Sequence, residues 1–329
     1  MRYLSAKDIQ TFFSMRNAID ADAEALSLYS SGRADIPLRT NINIPEYNGQ
    51  SLYMPGYVSG ADPSLGVKIV SVYPDNIDQK LPSVPATMIT LDAQTGIVNA
   101  ILDGTYLTQL RTGAVQGAAT ELLSNENSKT ALLIGTGGQG MSQLEAMLTV
   151  RNLDKVFVSD LDRARAQKFC EAATVSFSQT FSTTFEPVAD PNSVVPEVDI
   201  ITSVTTSKRP TFDGTLVKQG VHVNGVGAYT PEMCEIPVDL IKQANHIVFD
   251  TMDGVLAEAG DIIQPLKRGD ISKQAISGEL GQVITKNIVG RSSENDITFF
   301  KTVGTAALDV VVADRIVKKA EEMKVGMTL

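Results

Sequence analysis

The sequence predicts an α/β protein of two domains, and three observations carry that expectation. With 329 residues, 43% hydrophobic and 20% charged, the chain has an ordinary globular composition, and domains of roughly 100–200 residues make two the natural division. Beyond Lys129, short apolar strands alternate with helices, the mark of a parallel sheet built from β-α-β units. The first of those strands runs into a glycine-rich turn and then a helix.

Taken in order, Ser5 with Asp8 three residues on starts a helix carrying Ile9, Phe12, Phe13 and Met15. A second helical stretch, Asp20–Tyr29, ends at Ser30-Ser31-Gly32. Ile36–Ile44, Ser51–Val58, Gly66–Tyr73, Thr87–Asp92 and Ile97–Leu102 follow as strands separated by Pro-, Asn- and Gly-containing turns, an antiparallel region. Tyr106–Leu123 reads as a helix, and the polar stretch Ser124–Ser128 marks the expected domain boundary. Thr130–Ile134, Lys155–Ser159, Asp199–Val204, His222–Val226 and His246–Asp250 then read as buried strands, and a long amphipathic helix, Gly304–Met323, closes the chain. No internal repeat is visible, which sets solenoids aside.

Composition excludes several classes. There are 28 Lys+Arg against 38 Asp+Glu, a formal net charge of −10, so nucleic acid is not an expected partner. No apolar run approaches the roughly 20 residues of a membrane helix, and the N-terminus has no apolar signal segment, so no membrane association and a cytoplasmic location are expected. Cys170 and Cys234 make no disulfide framework. With only His222 and His246 as histidines, both read as structural, and no metal site is expected.

The most specific motif is the turn after Ala131-Leu-Leu-Ile134. Gly135, Gly137 and Gly140 fit G-x-G-x-x-G: the first allows a tight turn, the second lets the backbone approach a pyrophosphate, and the third lets helix and strand pack closely. Gly138 and Gln139 complete the turn, and the helix Met141–Val150 offers free N–H groups to phosphates. The next strand ends in Asp160, placed to accept hydrogen bonds from the adenosine ribose. A carboxylate there favours NAD(H); Arg163 and Arg165 nearby leave NADP(H) open.

Segments spread along nearly the whole chain resemble the ornithine cyclodeaminase/mu-crystallin family: Pro37-Leu-Arg39-Thr, Met54-Pro-Gly-Tyr57, Gly66-Val-Lys68-Ile-Val, Leu110-Arg111-Thr112-Gly-Ala, the glycine turn, Val223-Asn224-Gly-Val-Gly227-Ala, Glu258-Ala-Gly-Asp261, and Gly290-Arg-Ser-Ser-Glu-Asn-Asp296-Ile-Thr followed by Val303-Gly304. The resemblance implies a Rossmann-type domain at 125–304 and an α+β substrate and dimerisation domain at 1–124, completed by 305–329, with a homodimer formed through its sheet. It implies an imino acid as substrate or intermediate, with hydride exchange at nicotinamide. Arg39, Lys68 and Arg111 match the cations that hold the substrate carboxylate, a role suited to guanidinium forks and an added ammonium; the alternative is that each is an ordinary solvated surface cation, a reading that spacing alone favours for Arg39 and only the resemblance reverses. Lys68, set among Val67, Ile69 and Val70, is the expected general acid, since burial lowers a lysine pKa. By the same resemblance, Ser83, Arg111, Thr112, Thr205, Asn224, Val226 and Gly227 line the cofactor, and Val303 and Gly304 touch substrate.

Two departures narrow the activity. The acid that meets the substrate amine in cyclodeaminases is Tyr229 here, and a second acid, just before Met-Pro, is Leu52. A diamine would lose its charge partners, so reduction of an α-imino acid is expected over ornithine cyclisation. Δ1-Pyrroline-2-carboxylate or Δ1-piperideine-2-carboxylate, giving L-proline or L-pipecolate, fits what remains. Tyr229 would line the ring or pack. Ornithine cyclodeamination, alanine dehydrogenation, reduction of a linear ketimine and a non-catalytic nucleotide- or small-ligand-binding role stay open.

Overall fold

The computed structural model describes residues 1–329, the side chain of Ile77 excepted. The chain divides into one compact unit of Met1–Arg111 with Thr305–Leu329, and a second of Thr112–Gly304.

The first unit opens with β1 (Arg2–Leu4), α1 (Ala6–Phe12) and α2 (Met15–Ser30). Ser5 caps α1 in a reciprocal box with Asp8, as the sequence predicts, and Ser14 with Asn17 starts α2 five residues before the expected Asp20. β2 (Ala34–Asp35), β3 (Thr40–Ile44), β4 (Gly49–Val58), β5 (Ser64–Val72), β6 (Ala86–Leu91) and β7 (Val98–Asp103) form antiparallel neighbours. β1 joins the sheet beside β7 in parallel. α3 (Gly104–Leu123) contains the division between the units, which falls inside this helix rather than at the polar Ser124–Ser128 stretch.

In the second unit β8 (Thr130–Ile134), α4 (Gly140–Val150), β9 (Lys155–Ser159), α5 (Arg163–Phe177), β10 (Thr184–Val188), β11 (Ile200–Ser203), β12 (His222–Gly225), α6 (Val238–Gln243), β13 (His246–Phe249), α7 (Met252–Glu258), α8 (Gly260–Arg268), β14 (Gly278–Glu279), α9 (Leu280–Ile284) and β15 (Thr298–Lys301) follow. The sheet is parallel throughout, in the order β10-β9-β8-β11-β12-β15-β13-β14. Its strand order reverses at β8, the place where open α/β sheets bind ligands. β10, β14 and β15 are additions to the strands expected from sequence.

The chain then returns to the first unit as α10 (Ala306–Met323), capped by Thr305, and ends in β16 (Met327–Thr328). α10 packs on α2 and across β4, β5 and β6. Alternation along β5 turns Ser64, Gly66, Lys68 and Val70 inward and leaves Leu65, Val67 and Ile69 half-buried on the opposite face. A Cβ at Gly66 would stand 2.6 Å from the Ile89 carbonyl and 2.7 Å from Met88 Cε, so glycine lets the strand that carries Lys68 lie close against β6 and its side chains.

Candidate active site

Strand alternation sends Lys68 into the interior of the first unit, where apolar packing leaves it 1% exposed. Such a charge is costly without a partner. The partner is Asp309, the lone acid on the apolar face of α10: Lys68 Nζ donates to Asp309 Oδ1 at 2.8 Å. Arg111, at the last residue of the first unit's part of α3, sets its Nε 2.9 Å from that same oxygen. Two cations therefore share one carboxylate. Burial pushes Lys68 down to about 8; the Arg111 charge and, more weakly, Arg39 act in the same direction, against the pull of Asp309. Arg39 itself lies just before β3 and is half-buried.

A second acid, Asp22 on α2, is wholly buried, and neither oxygen has a hydrogen-bond partner among the described residues. Burial raises its pKa well above the usual carboxylate range, against the nearby Arg111 and with the help of Asp309. Lys68 and Arg111 face the single Asp309 carboxylate, and burial disfavours charge on Asp22, a balance that suits an anionic guest. Leu52, at the place of the missing acid, is packed with Met54, Val70 and Ala306, surroundings hostile to a carboxylate.

In the second unit the glycine turn leaves β8 with Gly135 at φ +104°, a conformation that favours glycine. A Cβ there would stand 2.7 Å from the Val204 carbonyl. At Gly137 and Gly138 nothing lies within 4 Å of where a Cβ would be, so backbone faces open space; at Gly140 a Cβ would stand 2.9 Å from the Phe169 ring. No side chain caps the start of α4. The turn thus has the cradle that a dinucleotide pyrophosphate needs. Asp160 closes it: Oδ2 accepts from Thr136 N at 3.0 Å and Thr136 Oγ1 at 2.5 Å, and Oδ1 from Asp162 N at 3.1 Å. Burial works against its charge, but these bonds hold its pKa below the ordinary value. Arg165 Nη2 is 3.9 Å from Asp160 Oδ2.

The loops after β11 and β12 bring Thr205, Val226 and Gly227 together, Gly227 lying too close to the Thr205 backbone for any side chain. Tyr229 follows, 38% exposed. After β15, the N–H groups of Val303 and Gly304 donate to Asp250 at 3.0 and 2.8 Å, and Thr302 Oγ1 does so at 2.6 Å. Thr112 begins the second unit, and Ser83 lies in the β5–β6 connection of the first, its carbonyl accepting from Tyr73 N.

Asn224 departs from the ligand-lining place expected of it. It is wholly buried, Oδ1 bonded to His222 Nε2 at 2.9 Å and Nδ2 to Thr120 Oγ1 and Thr202 Oγ1 at 3.1 and 3.2 Å, so its side chain is spent inside the sheet. His222, lowered to about 3 by burial above all, is a neutral structural residue. Arg291 and Asp296 brace backbone: Arg291 reaches the Leu123 and Gly220 carbonyls, and Asp296 accepts from Ser292 and Ser293. Sequence reasoning missed Asp22, Asp250 and Asp309; only Asp309 carries a legible signal, a single acid within Ala306–Ala313.

The family model for the ornithine cyclodeaminase/mu-crystallin family matches residues 2–324. The chain belongs to that family. It is 36% identical, over 326 residues covering 99% of this chain and 98% of the relative, to a Δ1-pyrroline-2-carboxylate reductase of Bacillus cereus. Its structure is similar to that of the Thermococcus litoralis Δ1-pyrroline-2-carboxylate reductase in complex with NADH and L-proline, with TM-score 0.93, 35% identity and full coverage of both chains. An archaeal alanine dehydrogenase dimer with bound NAD aligns at TM-score 0.89 and 30% identity, covering 100% of this chain and 98% of that one.

Proposed function

We propose that this protein is an NAD(H)-dependent reductase of a cyclic α-imino acid, Δ1-pyrroline-2-carboxylate above others, producing L-proline. The observation that carries the reading is the Lys68–Asp309–Arg111 cluster, a buried cation pair balanced by one carboxylate oxygen, with a leucine where a diamine would need an acid. The reductases of Bacillus and Thermococcus support it, and the NADH and NAD held by the structural neighbours support the cofactor.

NADH, when bound, supplies a hydride to the imine carbon. Arg111 and Arg39 grip the substrate carboxylate, and Asp309 keeps Arg111 turned by its Nε, which leaves the guanidinium's outer nitrogens to the guest. Lys68, charged below pH about 8, gives its proton to the ring nitrogen directly or through water, so that C=N becomes CH–NH. Good positioning of this kind is worth roughly 7–11 kcal/mol. The Gly135–Gly140 turn holds the pyrophosphate and Asp160 the adenosine ribose. Tyr229 in place of an acid leaves no charge partner for a second substrate amine.

The protein acts as a homodimer in this reading, a second copy covering the face of the first unit's sheet opposite α10. That face carries half-exposed Leu65, Val67 and Ile69 with Tyr57 at 39%. Sedimentation at micromolar concentration tests it; a monomer there contradicts it. The activity itself is tested by imine-dependent NADH oxidation beside ornithine-dependent ammonia release and pyruvate plus ammonia.

A further inference from the structure

Glu235 lies outside every motif that the function above uses, yet it is wholly buried and gathers donors from two loops. Oε2 accepts from Ser203 Oγ at 2.8 Å, Thr205 N at 2.7 Å and Thr205 Oγ1 at 3.0 Å; Oε1 accepts from Gly227 N at 2.5 Å and Ala228 N at 3.0 Å. One carboxylate therefore ties the loop after β11 to the loop after β12. Its own position is fixed from behind. Asp261 Oδ1 accepts from Glu235 N at 2.7 Å and Ile236 N at 2.9 Å, and Lys301 Nζ stands 2.9 Å from Asp261 Oδ2 and 3.9 Å from Glu235 Oε1. All three side chains are fully buried. Burying two carboxylates and one ammonium is a poor way to stabilise a core, since apolar residues of equal volume often do as well or better. What the arrangement provides is geometry: main-chain N–H groups of two separate loops held to one point.

The topology says which part of the nucleotide those loops meet. Asp160 follows β9, on one side of the β8 turn, and marks the adenosine side; β11 and β12 lie on the other. A dinucleotide whose pyrophosphate sits at Gly135 must extend its second half over the ends of β11 and β12. The turn and the β11 loop are in register there, as Gly135 lies against Val204 and Thr205.

We propose that Glu235 is a positioning residue for the nicotinamide half of the cofactor, setting the Thr205 and Gly227 loops at the distance that ring requires; the inference rests on the dinucleotide reading above. Glu235→Gln keeps the size of the side chain but presents an NH2 group to donors, forcing one loop away. Ser203→Ala removes a single donor and serves should the first variant not fold. Calorimetric titration with NADH and with ADP-ribose, which lacks the nicotinamide ring, separates the cases. The expected result is NADH weakened about tenfold or more in Glu235→Gln, and in the same direction but less in Ser203→Ala, with ADP-ribose held within about twofold. Where the enzyme turns over, kcat falls up to about a hundredfold and the deuterium isotope effect with C4-labelled NADH rises, as a misplaced donor requires. Equal weakening of both ligands, or no change in either, overturns the proposal. Wild-type protein that binds neither ligand contradicts the dinucleotide reading itself.

Discussion

Lys68 Nζ and Asp309 Oδ1 stand 2.8 Å apart across 241 residues of sequence, joining the middle of β5 to the first turns of the last helix. The contact explains why the C-terminal segment returns to the first unit: without α10, Lys68 and Arg111 would share a buried site with no fixed anion. The same oxygen serves both cations, so the charge that orients them is single and its loss is felt twice.

Removing it should therefore cost more than an ordinary core truncation. Asp309→Ala leaves two buried cations uncompensated and is expected to destabilise the protein by about 3–5 kcal/mol, read from the urea midpoint at constant slope. A loss under about 1 kcal/mol would mean that Lys68 and Arg111 reach water when Asp309 is absent.

The Lys68 pKa gives opposite slopes to activity and stability. Its folded value of about 8 is below the ordinary lysine value of 10.5, so between these the folded state binds fewer protons than the unfolded one. Its charge thus weakens the fold fully below pH about 8, and the penalty is relieved as pH rises toward 10.5. Proton donation needs the charged form, so kcat/KM should fall as pH rises through about 8, a limb that Lys68→Ala abolishes. His222, lowered to about 3, adds nothing to that limb.

Arg111→Lys tests the fork. An ammonium keeps the charge but loses the planar pair of donors. The KM for the imino acid should rise about tenfold or more; an unchanged KM would assign the carboxylate to other residues.

The glycines of the turn separate folding from binding. Gly135→Ala meets both a positive φ and the Val204 carbonyl, and should lower Tm by several degrees. Gly137→Ala meets nothing within 4 Å in the protein alone, so Tm should hold while NADH binding weakens about tenfold or more. Equal thermal losses in the two would show that the turn is merely structural.

The parts of the fold that sequence shows are those made by local pattern. Thr130–Ile134 and Lys155–Ser159 are continuous apolar strands bounded by turns and appear with those bounds. β10 hides because Pro187 argues against a strand; it is an edge strand, where proline is tolerated. β15 is four residues behind a long polar loop and takes its place between β12 and β13 only through pairing. Of the site, Lys68 betrays itself by its apolar neighbours and Gly135–Gly140 by spacing. Glu235 shows nothing, since most of its partners are backbone N–H groups brought up by topology. Asn224 is expected at the cofactor only through the resemblance; β12 is buried on both faces, and the amide bonds to His222, Thr120 and Thr202 there.

The most direct test is loss of NADH absorbance with freshly prepared Δ1-pyrroline-2-carboxylate, in wild-type protein and Lys68→Ala, beside ammonia release from ornithine. The account predicts rapid imine-dependent oxidation, reduced at least about a hundredfold in the variant, and no ammonia. Ammonia from ornithine, or silence with every imino acid while NADH still binds, would contradict it.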